Sequence, residues 1–323
     1  MFLKRFLTFI SLIFKWLHIL AFTILFWAGP AFCVQNQIND EWFDELEKTI
    51  SESLLSTASW MDSAFQDDET IDESAKAWGK ITIGWQPRTG NWGYFPVKFR
   101  IKVRLPSLQN RIDLIISDTE EEDFQRLPLD KTHPIDEKES SEDYHLAIRF
   151  IHSSSQEHYL STRIGLGDGT VYSRMSYRWR KPLIDDFWSI QISPAVEYYI
   201  GQGFGHRVVF DSAWGVGRRA EIRWSYGLID RQSFDNGEWR QGLYYLRPIG
   251  DDAAIVQGFQ ASGDYEPDYR ENNYNIFFRW RQVSIRKWLY YEIEPFVDFP
   301  RERDFRREYG IAFRLQGLFG ARH

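Results

Sequence analysis

From about residue 79 to its end, the chain keeps a two-residue alternation of apolar and polar side chains. Phe95, Val97, Phe99, Ile101, Val103 and Leu105 alternate with Lys98, Arg100, Lys102 and Arg104. Val171, Met175, Tyr177 and Trp179 alternate with Tyr172, Arg174, Ser176, Arg178 and Arg180. Ile222, Trp224, Tyr226 and Leu228 face away from Glu221, Arg223 and Ser225, as Tyr274, Ile276, Phe278 and Trp280 do from Asn275, Arg279 and Arg281. Successive side chains of a strand point to opposite faces, so each segment offers one apolar face and one charged face. A soluble sandwich alternates as well, but over strands of about five or six residues. Here the runs last about nine to eleven residues, the length of a tilted strand crossing hydrocarbon. Lipid cannot satisfy an open sheet edge, so such strands must close on themselves. The expected fold is all-β: a transmembrane antiparallel up-and-down β-barrel.

Composition agrees with one face in lipid and one in water. Aromatic residues make up 17% of the 323-residue chain and charged residues 26%. A helical membrane protein is not this polar, and an ordinary soluble domain rarely holds 14 Trp and 16 Tyr. The single cysteine, Cys33, implies no disulfide framework. It closes an N-terminal segment with Lys4 and Arg5 ahead of an apolar run from Trp16 to Trp27 and the small-residue pattern Ala31-Phe32-Cys33. Residues 1–33 therefore read as a secretory signal peptide, cleaved before Val34. The rival is an uncleaved inner-membrane anchor over Phe6 to Trp27, a reading weakened by Lys15 and His18 within that stretch.

Residues 34–78 carry twelve acids against Lys48 and Lys76. Within them Phe43, Leu46, Ile50, Leu54, Met61 and Phe65 recur at three- and four-residue steps, which predicts an acidic amphipathic helix starting near Asn39 or Asp40. It is expected in the periplasm, on the barrel mouth or against a periplasmic partner through residues 39–66. A plug inside the lumen is the alternative.

Strands are expected at 79–87, 93–106, 111–118, 143–152, 157–167, 170–181, 187–200, 205–216, 219–230, 236–247, 252–264, 270–282, 287–299 and 307–319. That makes about fourteen, with 12 or 16 as alternatives for residues 79–323. Asp168-Gly169 and Pro248-Ile249-Gly250-Asp251 carry turn chemistry. The long acidic connection 119–142, with Pro128 and Pro134, reads as a surface loop. With the C-terminus in the periplasm, this loop falls outside the cell, where barrels keep their longer connections. Trp85, Trp92, Tyr94, Trp179, Trp188, Trp214, Trp239 and Trp288 cluster near strand ends, as interfacial girdles require.

The last strand, Glu308-Tyr309-Gly310-Ile311-Ala312-Phe313-Arg314-Leu315, resembles the barrel-assembly signal of bacterial outer-membrane β-barrel proteins. Glu308, Gly310, Phe313 and Leu315 match its polar, glycine and paired hydrophobic positions, although Gly320 to His323 extend past the usual terminal aromatic residue. The stretch from Tyr291 to Asp304 also resembles the end of uncharacterised proteobacterial outer-membrane proteins. That resemblance implies outer-membrane lipid and the barrel-assembly machinery as partners, and it implies no activity.

The polar face supplies the candidate site. Lys98, Arg100, Lys102, Arg104, Arg149, Arg163, Arg174, Arg178, Arg223, Arg279 and Arg314 fall on it, as do Arg180, Arg207, Arg240 and Arg281. Asp113, Glu197, Glu221, Glu238, Glu292, Glu294 and Asp298 share it. A basic wall favours anions in a pore for small polar solutes. The same residues also suit a salt-bridge network filling a closed, structural barrel. A barrel hydrolase would need a Ser–His pair at the lipid boundary. Of the barrel histidines His145, His152, His158 and His206, only His206 falls near the lipid face, beside Val208 and Phe210, without an evident serine. No metal-ligand spacing appears and no cofactor is implied. Gly165-Leu166-Gly167-Asp168-Gly169 sits at a hairpin rather than before a helix, so it is no phosphate loop. A net charge of −7 without a basic tail argues against nucleic acid.

Overall fold

The computed structural model describes residues 44–45, 47–53, 55–56, 76–105, 111–117, 145–167, 169–184, 187–217, 219–231 and 237–320. The expected signal peptide, both ends of the acidic helix and the whole of the loop 119–142 lie outside them. Asp44 and Glu45 are helical, and a short helix, α1, is described at 47–53 and 55–56. The strands are β1 (Lys76–Trp85), β2 (Val97–Arg104), β3 (Ile112–Ser117), β4 (His145–Ser154), β5 (His158–Gly167), β6 (Thr170–Ile184) and β7 (Trp188–Tyr199). They continue as β8 (Gly203–Val216), β9 (Ala220–Arg231), β10 (Glu238–Ile249), β11 (Ala253–Asp264), β12 (Arg270–Val283), β13 (Leu289–Pro300) and β14 (Glu308–Gly320).

Each strand pairs antiparallel with its sequence neighbours, and β1 pairs with β14, so the sheet closes as an up-and-down barrel. Closure leaves no free edge to desolvate in lipid. A twelve-residue strand such as β7, rising about 3.3 Å per residue and tilted by roughly 40°, climbs about 30 Å. That height matches the hydrocarbon core.

Alternation along each strand sorts the side chains into an outer apolar belt and an inner polar wall. Ile83, Leu166, Met175, Val196 and Leu243 are half exposed on the outer face. Arg174, Glu197, Asp113 and Ser225 are buried on the inner one. Aromatic rings gather at both rims. Trp85 stacks on Phe313 with centroids 5.6 Å apart at one end, where Trp239 also stacks on Tyr269 at 5.0 Å. Trp288 meets Phe319 at 5.6 Å at the other end, and Trp188 there donates its indole N–H to the Ser212 hydroxyl at 2.9 Å.

The second rim is the short-turn end, where β8 and β9, or β10 and β11, are joined by three residues. Gly250, at φ 61°, supplies the left-handed residue that the β10–β11 turn needs. The opposite rim holds the long step from Ser117 to His145. Membrane barrels keep their longer connections outside the cell, so the short-turn end is the one expected on the periplasmic side.

Strand ends differ in detail from the alternation reading. β1 starts at Lys76 rather than 79, and β2 at Val97 rather than 93. Pro96 has no N–H, so the regular ladder stops there. The hairpin continues through single bonds, Gly84 N–H to the Pro96 carbonyl at 2.7 Å and Gln86 N–H to the Tyr94 carbonyl at 3.0 Å.

The helix lies against the outside of the wall. Ala77, Val103 and Leu105 belong to the outer rows of β1 and β2, yet they are buried, and Leu55 packs on them. The Gly320 N–H donates to Ser51 Oγ at 2.9 Å. Ser51 in turn donates to Glu47 Oε1 at 3.0 Å. No described helix is long and apolar enough to cross a membrane.

Candidate functional site

Antiparallel pairing fixes which inner residues stand side by side, and it assembles one charged row across the wall. Arg104 of β2 stands opposite Asp113 of β3, which stands opposite Arg149 of β4. Arg149 faces Arg163 of β5, and Arg163 faces Arg174 of β6. Arg174 faces Glu197 of β7, followed by Gly205 of β8 and Arg231 of β9. Five arginines thus share a row with two acids.

The acids are nodes. Asp113, wholly buried, accepts from Arg149 at 2.5 Å, Arg104 at 3.1 Å and Lys102 at 3.2 Å. Glu197, 1% exposed, takes Arg174 at 2.6 Å and Arg231 at 2.6 Å. Arg231 reaches it over Gly205, where any Cβ would come within 2.9 Å of the Glu197 side chain. Arg174 also donates to the Tyr199 hydroxyl at 3.1 Å, and the Arg231 guanidinium lies 5.0 Å from the Tyr199 ring centroid.

A third node stands on the other side of the barrel. Glu294 of β13 accepts two bonds from Arg314 of β14, both 3.1 Å, and one from Arg279 of β12. Glu292 adds contacts of 3.6 Å with both Arg281 and Arg314. Such paired geometry satisfies charges that would otherwise be costly to desolvate. All of these pairs join strands one or two apart. They run along the wall, and none spans the lumen.

The remaining basic candidates keep to the same face. Arg223 pairs with Glu221 at 2.5 Å and Arg240 with Glu238 at 3.4 Å. Arg178 lies 5.1 Å from the Tyr159 ring centroid, Arg100 lies 6.0 Å from that of Trp78, and Lys98 stands opposite Thr82. Arg207 stands opposite Ala195, and exposed Arg180 sits toward the short-turn end of β6. Asp298 accepts from Asn275 at 2.7 Å. Arg231 was not among the residues expected from the alternation, because it falls at a strand end. Only its register against Glu197, through a glycine, reveals it.

The residues expected to form an assembly signal divide between the faces. Phe313 and Leu315 stand outward and partly exposed, whereas Glu308 is inward and pairs with Arg303 at 2.5 Å. Gly310 is covered by the Phe296 ring. Among the histidines, His206 faces outward with Asp230 at 3.7 Å, and no described serine bonds it. His152 meets the Thr162 hydroxyl at 2.8 Å, and His158 the Tyr177 hydroxyl at 2.6 Å. The His145 side chain lies outside the described residues. Among the described residues no three His, Cys, Asp or Glu gather as metal ligands.

No family model and no curated protein matches the chain. Solved structures do. An outer-membrane protein of Vibrio cholerae, OmpT, aligns with a TM-score of 0.51 at 6% identity, covering 78% of this chain and 99% of its own. The outer-membrane channel DcaP of Acinetobacter baumannii gives 0.49 at 8% identity over 76% and 97%. The KdgM porin, solved in complex with disordered oligogalacturonate, gives 0.36 at 8% identity over 76% and 99%. At such identities the likeness is one of fold. The chain has the architecture of the bacterial outer-membrane β-barrel proteins, with an outward apolar belt around its wall.

Proposed function

We propose that the protein is an outer-membrane channel for small polar solutes, with a preference for anions. The row from Arg104 to Arg231 carries this reading, since five arginines face the interior there beside two acids. A surplus of fixed positive charge in a low-dielectric wall lowers the barrier for anions and raises it for cations.

Residues 1–33 act on this reading as a cleaved export signal, and Glu308, Gly310, Phe313 and Leu315 address the barrel-assembly machinery. The test is single-channel conductance in planar bilayers under a salt gradient. The folded mature protein should conduct with a reversal potential of anion sign, and Arg163→Glu should shift it toward cations. Because α1 docks outside the wall, deletion of residues 34–75 should leave conductance unchanged. Silence from protein shown to be folded would overturn the channel.

A second reading has its own observation. With Leu55 on the wall, α1 turns Lys48, Thr49, Glu52 and Ser53 to solvent. That polar face suits a periplasmic partner. On this reading, co-purification of a partner is lost when residues 39–66 are removed.

A further inference from the structure

The outer wall holds a feature that the channel does not use. At the periplasmic rim, strands β9 and β10 stop pairing at Glu221 and Leu246. Strand β10 nevertheless runs on to Ile249, paired only with β11. The two neighbouring hairpins therefore part at the rim and leave a groove of about 530 Å³ between their turns. Val216, Arg219, Ala220, Tyr245, Arg247 and Ile249 line it. Tyr245 stands opposite Ile222 and Gln257, in the same outward row as Leu243. Arg247 and Ile249 continue that row at two-residue steps, so the groove opens toward lipid.

Its charge is unusual for its position. In a chain of net charge −7, two arginines border a cleft on the membrane side. Arg219 lies 3.9 Å from Asp251, with both side chains largely exposed. Arg247 is exposed, and among the described residues no acid lies within ion-pair distance of it. The rim is the one marked by Trp188, Trp214 and Trp288, which sets the groove at headgroup level.

The geometry points to a binding site for the phosphodiester headgroup of an anionic phospholipid from the periplasmic leaflet. Arginine matches a phosphate with paired, charge-assisted hydrogen bonds. Tyrosine suits the water–lipid boundary, with an apolar ring and a polar tip. Val216, Ala220 and Ile249 offer apolar wall to the glycerol and the first methylenes. The inference stands whether or not the lumen conducts.

The full mature chain in detergent is titrated with phosphatidylglycerol, phosphatidylcholine or glycerol phosphate, and bound lipid is read by native mass spectrometry. Phosphatidylglycerol should be retained at one per chain, in preference to the other two. Arg219→Glu/Arg247→Glu should weaken it by about tenfold or more, the loss of one or two charge-assisted bonds. Ala220→Trp, which fills the groove and keeps both arginines, should do the same. Lys181→Glu, at the same rim on β6, should leave binding intact. Folding of each variant is checked by its mobility on an unheated gel, and Ala220→Trp carries the test should the charge reversals not fold. Equal retention of phosphatidylcholine, equal binding of glycerol phosphate, or an equal loss in Lys181→Glu would each overturn the site.

Discussion

Glu197→Gln removes the carboxylate that Arg174 and Arg231 share. Both guanidinium groups lie 2.6 Å from Glu197, and its side chain is 1% exposed. Removing one partner of a buried pair costs about 3–5 kcal/mol, because the remaining charge stays desolvated. Here two cations are left, but each keeps a second contact. Arg174 retains the Tyr199 hydroxyl at 3.1 Å, and Arg231 retains the Tyr199 ring at 5.0 Å. A cation–π contact is worth about 0.5–2 kcal/mol, so the loss should fall near the lower end, about 3 kcal/mol. Equilibrium urea unfolding in lipid vesicles, followed by tryptophan fluorescence and by mobility on an unheated gel, measures it. The triple variant Arg174→Met/Glu197→Leu/Arg231→Met removes all three charges and should recover most of the stability. A Glu197→Gln loss below about 1 kcal/mol, or a triple variant no better than the single one, would refute the node as a desolvated charge cluster.

Three further outcomes are expected. Gly310→Val should force the Phe296 ring off the wall and cost about 1–3 kcal/mol in the same unfolding assay. Phe313→Ala/Leu315→Ala should slow assembly in cells, read as accumulation of unfolded precursor, while the purified chain still folds in vesicles. Part of any stability loss will come from the stack of Phe313 on Trp85, about 0.5–1.5 kcal/mol. Leu55→Asp should free α1 from Ala77, Val103 and Leu105, read as faster proteolysis ahead of β1 with the barrel itself intact.

The wall was legible because alternation is local. Each strand shows its apolar and polar faces within its own residues, and closure of the sheet then follows from their length. The charged row was not legible, because it is a property of register between strands. Nothing local to Arg163 says that Arg149 and Arg174 flank it, and nothing local to Arg231 says that Gly205 opens its way to Glu197. The place of α1 was left open for a different reason. Its acids fit a basic lumen, but its apolar residues need an apolar surface, and Leu55 finds that on the outside of β1 and β2. The groove at Arg219 and Arg247 arises where pairing stops, which depends on neighbouring strand lengths rather than on any motif.

Ser51 and Gly320 lie 269 residues apart, yet one accepts the other's N–H. Gly320 is also paired with Trp78 across the β1–β14 joint, the one place where the described wall joins the two ends of the barrel segment. With Ser51 on β14 and Leu55 on β1 and β2, α1 crosses that joint from outside the wall like a stitch over a closed seam. The stitch can be set only after the last strand has arrived, so it records completion. Once set, it opposes the lateral parting of the two strands through which a barrel would come undone.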